Sequence, residues 1–122
     1  MAIIGIGVDL VDIARFERAL TRTPALRARL FAPDELVKAG HERPVRSLAG
    51  RFAAKEALIK ALGDSWAMRW HDMAVIGDEL GKPSFALEGA ARDAATALGV
   101  TNVHVSMSHD AGMAIAVVVA EN

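Results

Sequence analysis

The chain contains no cysteine. A disulfide framework and thiolate metal sites are therefore excluded, which fits a reducing cytoplasm. Neither sign of charge is in excess: 14 Lys and Arg stand against 15 Asp and Glu, a net charge of −1. That balance argues against general binding to nucleic acid or a membrane surface. No apolar run approaches a membrane span. The apolar start, Met1 to Val8, is too short for a secretory signal, has no basic segment before it and is interrupted by Asp9. Gly5-x-Gly7 lacks the third glycine and the helix-opening turn of a dinucleotide fingerprint. No internal repeat, low-complexity tract or long linker divides the 122 residues, so one domain over 1–122 is expected.

What the chain does have is apolar bulk. Apolar residues make up 52% even before the 10 glycines are counted, against a typical ~45–50% with glycine included. A small domain this apolar can need a partner surface, and self-association is one way to cover the surplus.

Several elements are legible in order. Ala2 to Val8 reads as a buried strand, with Gly5 and Gly7 on one face for close backbone approach and Asp9 at the strand end. Asp12 is placed to cap a helix to Thr21, because Ile13, Phe16 and Leu20 follow at helical spacing. Arg15, Arg18 and Arg22 form a basic stripe on that helix, either a solvated face or a docking surface for an acidic partner. Ala32-Pro33-Asp34-Glu35 looks like another helix start. Gly40 to Pro44 reads as a polar break.

A long helix is expected from Val45 to Leu62, closed by Gly63. Trp66 and Trp70 are expected to pack on the sheet. Met73 to Glu79 and Ser84 to Leu87 read as hairpin arms around Gly81-Lys82-Pro83. A helix over Glu88 to Leu98 follows, then strands at Val103 to Met107 and Met113 to Ala120. Ser108-His109-Asp110 is no catalytic triad, since consecutive strand residues point to opposite faces. The mixture of helices with antiparallel hairpins reads as α+β.

The chemistry concentrates in Arg51-Phe52-Ala53-Ala54-Lys55-Glu56-Ala57-Leu58-Ile59-Lys60. Phe52, Glu56 and Lys60 are spaced by four and stack along one helix face, with Arg51 and Lys55 as a flanking basic row. A Glu–Lys pair at this spacing is also a common decoration of a solvated helix, contributing only about 0.2–0.5 kcal/mol. Three readings stay open on residue types alone: a magnesium-dependent phosphate-transfer enzyme, a related pyrophosphate-cleaving enzyme, and a small oligomeric binding module.

The chain resembles the holo-[acyl-carrier-protein] synthases, the small trimeric class of 4′-phosphopantetheinyl transferases. The resemblance is carried by Gly5-Ile6-Gly7-Val8-Asp9, by the block from Arg51 to Lys60, by Gly81-Lys82-Pro83 and by Val105 to Asp110. It implies a small antiparallel sheet wrapped on a long central helix. It implies transfer of 4′-phosphopantetheine from coenzyme A to a serine of acyl carrier protein, in support of fatty acid biosynthesis. Asp9 and Glu56 are then the expected ligands of Mg2+, a hard cation that takes one or two carboxylates plus substrate phosphate. Asp9, Glu56 and Lys60 are the expected catalytic residues, with Glu56, or else Asp9, as the base. Arg51, Lys55, Lys60, Lys82, Pro83, Ser108 and His109 are expected to hold coenzyme A, and Arg15, Arg18 and Arg22 the carrier protein. A homotrimer with active sites between subunits is implied as well.

Overall fold

The computed structural model describes residues 1–63, 69–77 and 80–122. Strand β1 (Ile3–Asp12) runs into helix α1 (Ile13–Arg22), and two short helices follow, α2 (Leu26–Leu30) and α3 (Pro33–Leu36). A small hairpin, β2 (Val37–Lys38) and β3 (His41–Glu42), precedes the long helix α4 (Val45–Leu62). After a 3-10 turn (Trp70–Asp72) come β4 (Met73–Gly77), β5 (Pro83–Leu87), helix α5 (Gly89–Ala97), β6 (Asn102–Asp110) and β7 (Met113–Glu121). The main sheet is antiparallel with order β1-β7-β6, and β4 pairs with β5 separately. The α+β class is the one expected from the pattern of elements, and small antiparallel sheets around a long helix are what the resemblance implies.

Helix α4 is buried on most sides: Leu48, Ala49, Ala53, Ala54, Ala57 and Leu58 are fully covered. Each buried leucine contributes about 1.5–3 kcal/mol relative to exposure, but the alanines serve another purpose. They let the sheet lie almost on the helix backbone. A Cβ placed on Gly5 would stand 1.9 Å from the Ala61 carbonyl oxygen, and one on Gly7 1.8 Å from that of Ala57. No real side chain tolerates such a distance, so both positions require glycine. Two strand residues rise about 6.6 Å and four helix residues about 6 Å, so the next inward residue, Asp9, comes level with the turn before Ala57.

β1 continues past its expected end. Asp9 pairs with Ala116 and the ladder runs on to Asp12 opposite Met113, so Asp9 lies within the strand and not at its end. Its inward direction is set by the period of two, in phase with Gly5, Gly7 and Val11. Asp12 caps α1, accepting the Arg15 amide at 3.0 Å. α4 spans the expected Val45–Leu62, and Gly63 follows at φ +83. The polar break at 40–44 is not an open loop. The β2–β3 hairpin closes through Ala39 and Gly40, both at positive φ, the turn geometry that matches strand twist.

The sheet has two unlike faces. Ala114, Ala116, Val118 and Ala120 of β7 are buried toward α4. On the far side Ile6 is 61% exposed and Leu10 58%, and Val8, Ile115 and Val117 lie open beside them. The register sets Val8 opposite Val117 and Leu10 opposite Ile115, so this apolar surface is continuous. Trp70 packs against the core, its ring 5.6 Å from that of Phe52 on α4, which in turn stacks on Phe16 at 5.2 Å. Trp66 lies outside the described residues.

Candidate functional site

Asp9 from β1 and Glu56 and Lys60 from α4 meet beside a cavity of about 670 Å³ whose wall includes Arg15, Phe16, Phe52 and Trp70. Lys60 does not turn back along its own helix to Glu56. Its Nζ donates to the Val8 carbonyl at 2.9 Å and to Asp9 Oδ1 at 3.2 Å. The lysine thus ties strand to helix where Asp9 and Glu56 line one cavity. Glu56 registers this neighbourhood. Its carboxyl is pushed above the usual range, first by burial and then by the negative charge of Asp9, with Lys60 opposing. Lys60 is thus a cation that both acids meet. The donors are carboxylate oxygens, the type that hard divalent cations prefer. Among the described residues no cluster of three or more His, Asp or Glu ligands gathers anywhere, so such an ion would take its other ligands from substrate and water.

A second cavity, of about 530 Å³, lies on the other side of α4 between the β2–β3 hairpin and the end of β6. Arg51, Ser108 and His109 line it, as do Lys38, Arg43 and Arg46. Arg51 is buried, and its Nη1 donates to Ser47 Oγ at 2.8 Å. Burial chiefly, and then the nearby charge of Arg43, lower its pKa. The Nε groups of Arg43 and Arg51 are both buried without a hydrogen-bond partner among the described residues. Buried N–H groups rarely stay unpaired, and a pocket with this many cationic groups suits a phosphate-bearing ligand. Lys38, Arg43 and Arg46 are not among the residues expected to hold coenzyme A, yet they line this cavity. Their basic charge was visible, but only the hairpin brings it to Arg51.

Lys55 is expected to hold coenzyme A, but its side chain is wholly buried. Its Nζ donates to Glu35 Oε1 and the Leu30 carbonyl, both at 2.7 Å, and to the Trp70 carbonyl at 3.1 Å. Burial lowers its pKa while Glu35 works against that. All three N–H bonds of the ammonium are used inside the protein, so Lys55 cannot touch coenzyme A. Arg51 and Lys55 do not form one surface row.

The arginine stripe divides. Arg15 reaches the cavity at Asp9, whereas Arg18 and Arg22 line a neighbouring groove with Arg27 and Glu17. Lys82 and Pro83 stand at the β4–β5 turn, where Gly81 takes φ +82 and Pro83 pairs with Gly77. Neither is among the residues lining the two cavities described above.

A family model for the 4′-phosphopantetheinyl transferase superfamily matches residues 5–118. The chain belongs to the holo-[acyl-carrier-protein] synthases of that superfamily. It is 58% identical over 117 residues to the holo-[acyl-carrier-protein] synthase of Clavibacter michiganensis subsp. michiganensis, covering 96% of this chain and 94% of that protein. Among solved structures it is similar to the Neisseria meningitidis holo-[acyl-carrier-protein] synthase, at 36% identity and a TM-score of 0.87 over 99% of this chain and 100% of that one. It is similar also to the Helicobacter pylori synthase in complex with coenzyme A, at 33% identity and a TM-score of 0.81, covering 95% and 99% of the two chains. The binding-module reading is thereby set aside.

Proposed function

We propose that this synthase moves the 4′-phosphopantetheine group of coenzyme A onto a serine of acyl carrier protein, with Asp9, Glu56 and Lys60 at the reacting pyrophosphate. The observation that carries the reading is the meeting of those three side chains across β1 and α4, in a chain of this family.

The serine oxygen forms a bond to the phosphorus that bears the pantetheine. The bond from that phosphorus to the bridging oxygen breaks, and adenosine 3′,5′-bisphosphate leaves. Glu56 takes the serine proton; its raised pKa makes it a stronger base than an ordinary carboxylate. Lys60 stands where charge builds on the pyrophosphate oxygens. Asp9 and Glu56 are the residues that would hold Mg2+, which when bound supplies positive charge to those oxygens. Arg51, Ser108 and His109, joined by Arg43 and Arg46, would hold the nucleotide end in the basic cavity.

Arg15, Arg18 and Arg22 are the proposed docking stripe for the acidic carrier. The apolar outer face of the sheet supports a homotrimer, since a monomer would leave Ile6, Val8, Leu10, Ile115 and Val117 in water. In that assembly Lys82 and Pro83 of a neighbouring copy would complete the cleft. A cytoplasmic setting, where coenzyme A and carrier protein meet, goes with this reading; no described helix is long and apolar enough to cross a membrane.

The test is mass spectrometry of purified apo carrier protein incubated with coenzyme A, Mg2+ and this protein at catalytic amounts. A mass gain of one phosphopantetheine, abolished without Mg2+, is expected from material that sediments as a trimer. An unchanged carrier would overturn the reaction, and full turnover by a stable monomer would overturn the shared cleft. With Arg15→Glu and Arg18→Glu together, KM for carrier protein is expected to rise far more than KM for coenzyme A. Equal effects on both would remove the docking role.

A further inference from the structure

Lys55 and Glu35 are both buried, and every proton of the Lys55 ammonium is taken up inside the protein. The ammonium has three protons and three acceptors, Glu35 Oε1, the Leu30 carbonyl and the Trp70 carbonyl. Glu35 Oε1 also accepts the Ala32 amide at 2.9 Å, and Oε2 accepts the Val75 amide at 3.0 Å. The Phe31 ring closes over the lysine with its centroid 5.1 Å from Nζ. One ion pair thus joins α4 to the end of α2, the start of α3, the 3-10 turn and β4.

Two of the groups it holds belong to the reaction cavity: Leu30 and Trp70 line it together with Asp9 and Glu56. Lys55 immediately precedes Glu56, about 100° around the helix. While Glu56 faces the cavity, Lys55 grips two of its walls from behind. Stability alone is a weak account of this arrangement, because well-packed apolar residues often replace a buried ion pair at no cost. An apolar pair would fill the same volume but could not fix two carbonyls at hydrogen-bond distance from the helix.

We propose that Lys55 is a positioning residue for the transfer reaction: through the Leu30 and Trp70 carbonyls and through Glu35 it sets the width of the cavity at Asp9 and Glu56. The proposal rests on reading those two carboxylates and Lys60 as the reacting site. The coenzyme A nucleotide, in the separate basic cavity, does not depend on it.

The deciding variant is Lys55→Met combined with Glu35→Gln, which removes both charges, keeps the volume and leaves an acceptor oxygen for one of the Ala32 and Val75 amides. Thermal melting and sedimentation establish that it is folded, and kcat and KM are then measured separately for transfer to apo carrier protein. The expected result is a KM for coenzyme A within about threefold of wild type and a kcat lower by about a hundredfold, the scale of a displacement near 1 Å at a reacting centre. A folded variant with kcat within about threefold of wild type, or one in which only KM rises, would overturn the proposal. If the double variant does not fold, Glu35→Asp keeps both charges while drawing the carboxylate back by one methylene, and the same kcat-against-KM comparison decides. A wild-type protein that transfers nothing would instead overturn the reaction itself, and the positioning role with it.

Discussion

Lys55 and Lys60 leave the same helix five residues apart and end in opposite surroundings. Lys55 is sealed from solvent against Glu35 and two carbonyls. The Lys60 side chain is 55% exposed and reaches across to Asp9. Residue type and helix propensity are identical, so the difference comes wholly from what covers each face. The short helices and β4 close over one side of α4; β1 passes the other, with Gly5 and Gly7 set against the helix backbone. A buried lysine must have all its donors met and so becomes part of the scaffold. A half-exposed one can exchange its partners for a substrate.

The largest effect on stability is expected from Lys55→Ala, which leaves Glu35 buried without its cation and should cost about 3–5 kcal/mol. Denaturant unfolding measures it, and a loss below about 1 kcal/mol would place the pair with ordinary surface pairs. Gly7→Ala comes next. Its Cβ would meet the Ala57 carbonyl, so β1 must lift away from α4, at a cost of about 1–3 kcal/mol. Asp9 moves with the strand, and turnover is expected to fall more steeply than stability.

Lys60→Gln sharpens the contrast from the other side. An exposed pair contributes about 0–1 kcal/mol, so the unfolding midpoint should barely move while transfer drops strongly. A destabilisation as large as that of Lys55→Ala would erase the distinction between the two lysines. Glu56→Gln is expected to have the smallest effect on stability, and a favourable one. The folded-state pKa of Glu56 lies above its unfolded value. Its contribution to stability is therefore full below the unfolded pKa and is lost as pH rises through the folded pKa. At neutral pH the glutamine variant should melt slightly higher than wild type, with the gain vanishing toward acid pH, while transfer is abolished. A variant that melts lower at pH 7 than wild type would contradict the sign.

Much of this was legible in local patterns. The ends of α4, the Asp12 cap and the β4–β5 and β6–β7 hairpins follow from residue spacing and turn chemistry that act over a few positions. Glu56 and Lys60 stand out by type and interval on α4, and the family resemblance joins Asp9 to them. Lys55 could not be separated from Lys60, because nothing local marks Glu35, twenty residues earlier, as its buried partner. The extension of β1 to Asp12 depended on pairing with β7. The basic cavity depended on a two-residue hairpin folding back beside Arg51.

The order of amino acids was enough to define which elements form and which side chains carry acid, base and phosphate-binding capacity, since those properties belong to single residues and their near neighbours. Folding in three dimensions chose which cations are spent inside and which stay available. That choice is a matter of burial, and burial depends on segments far apart in the chain coming together. Gly5 and Gly7 make the point from both ends: the sequence lets a backbone approach there, and only the packed helix makes that approach indispensable.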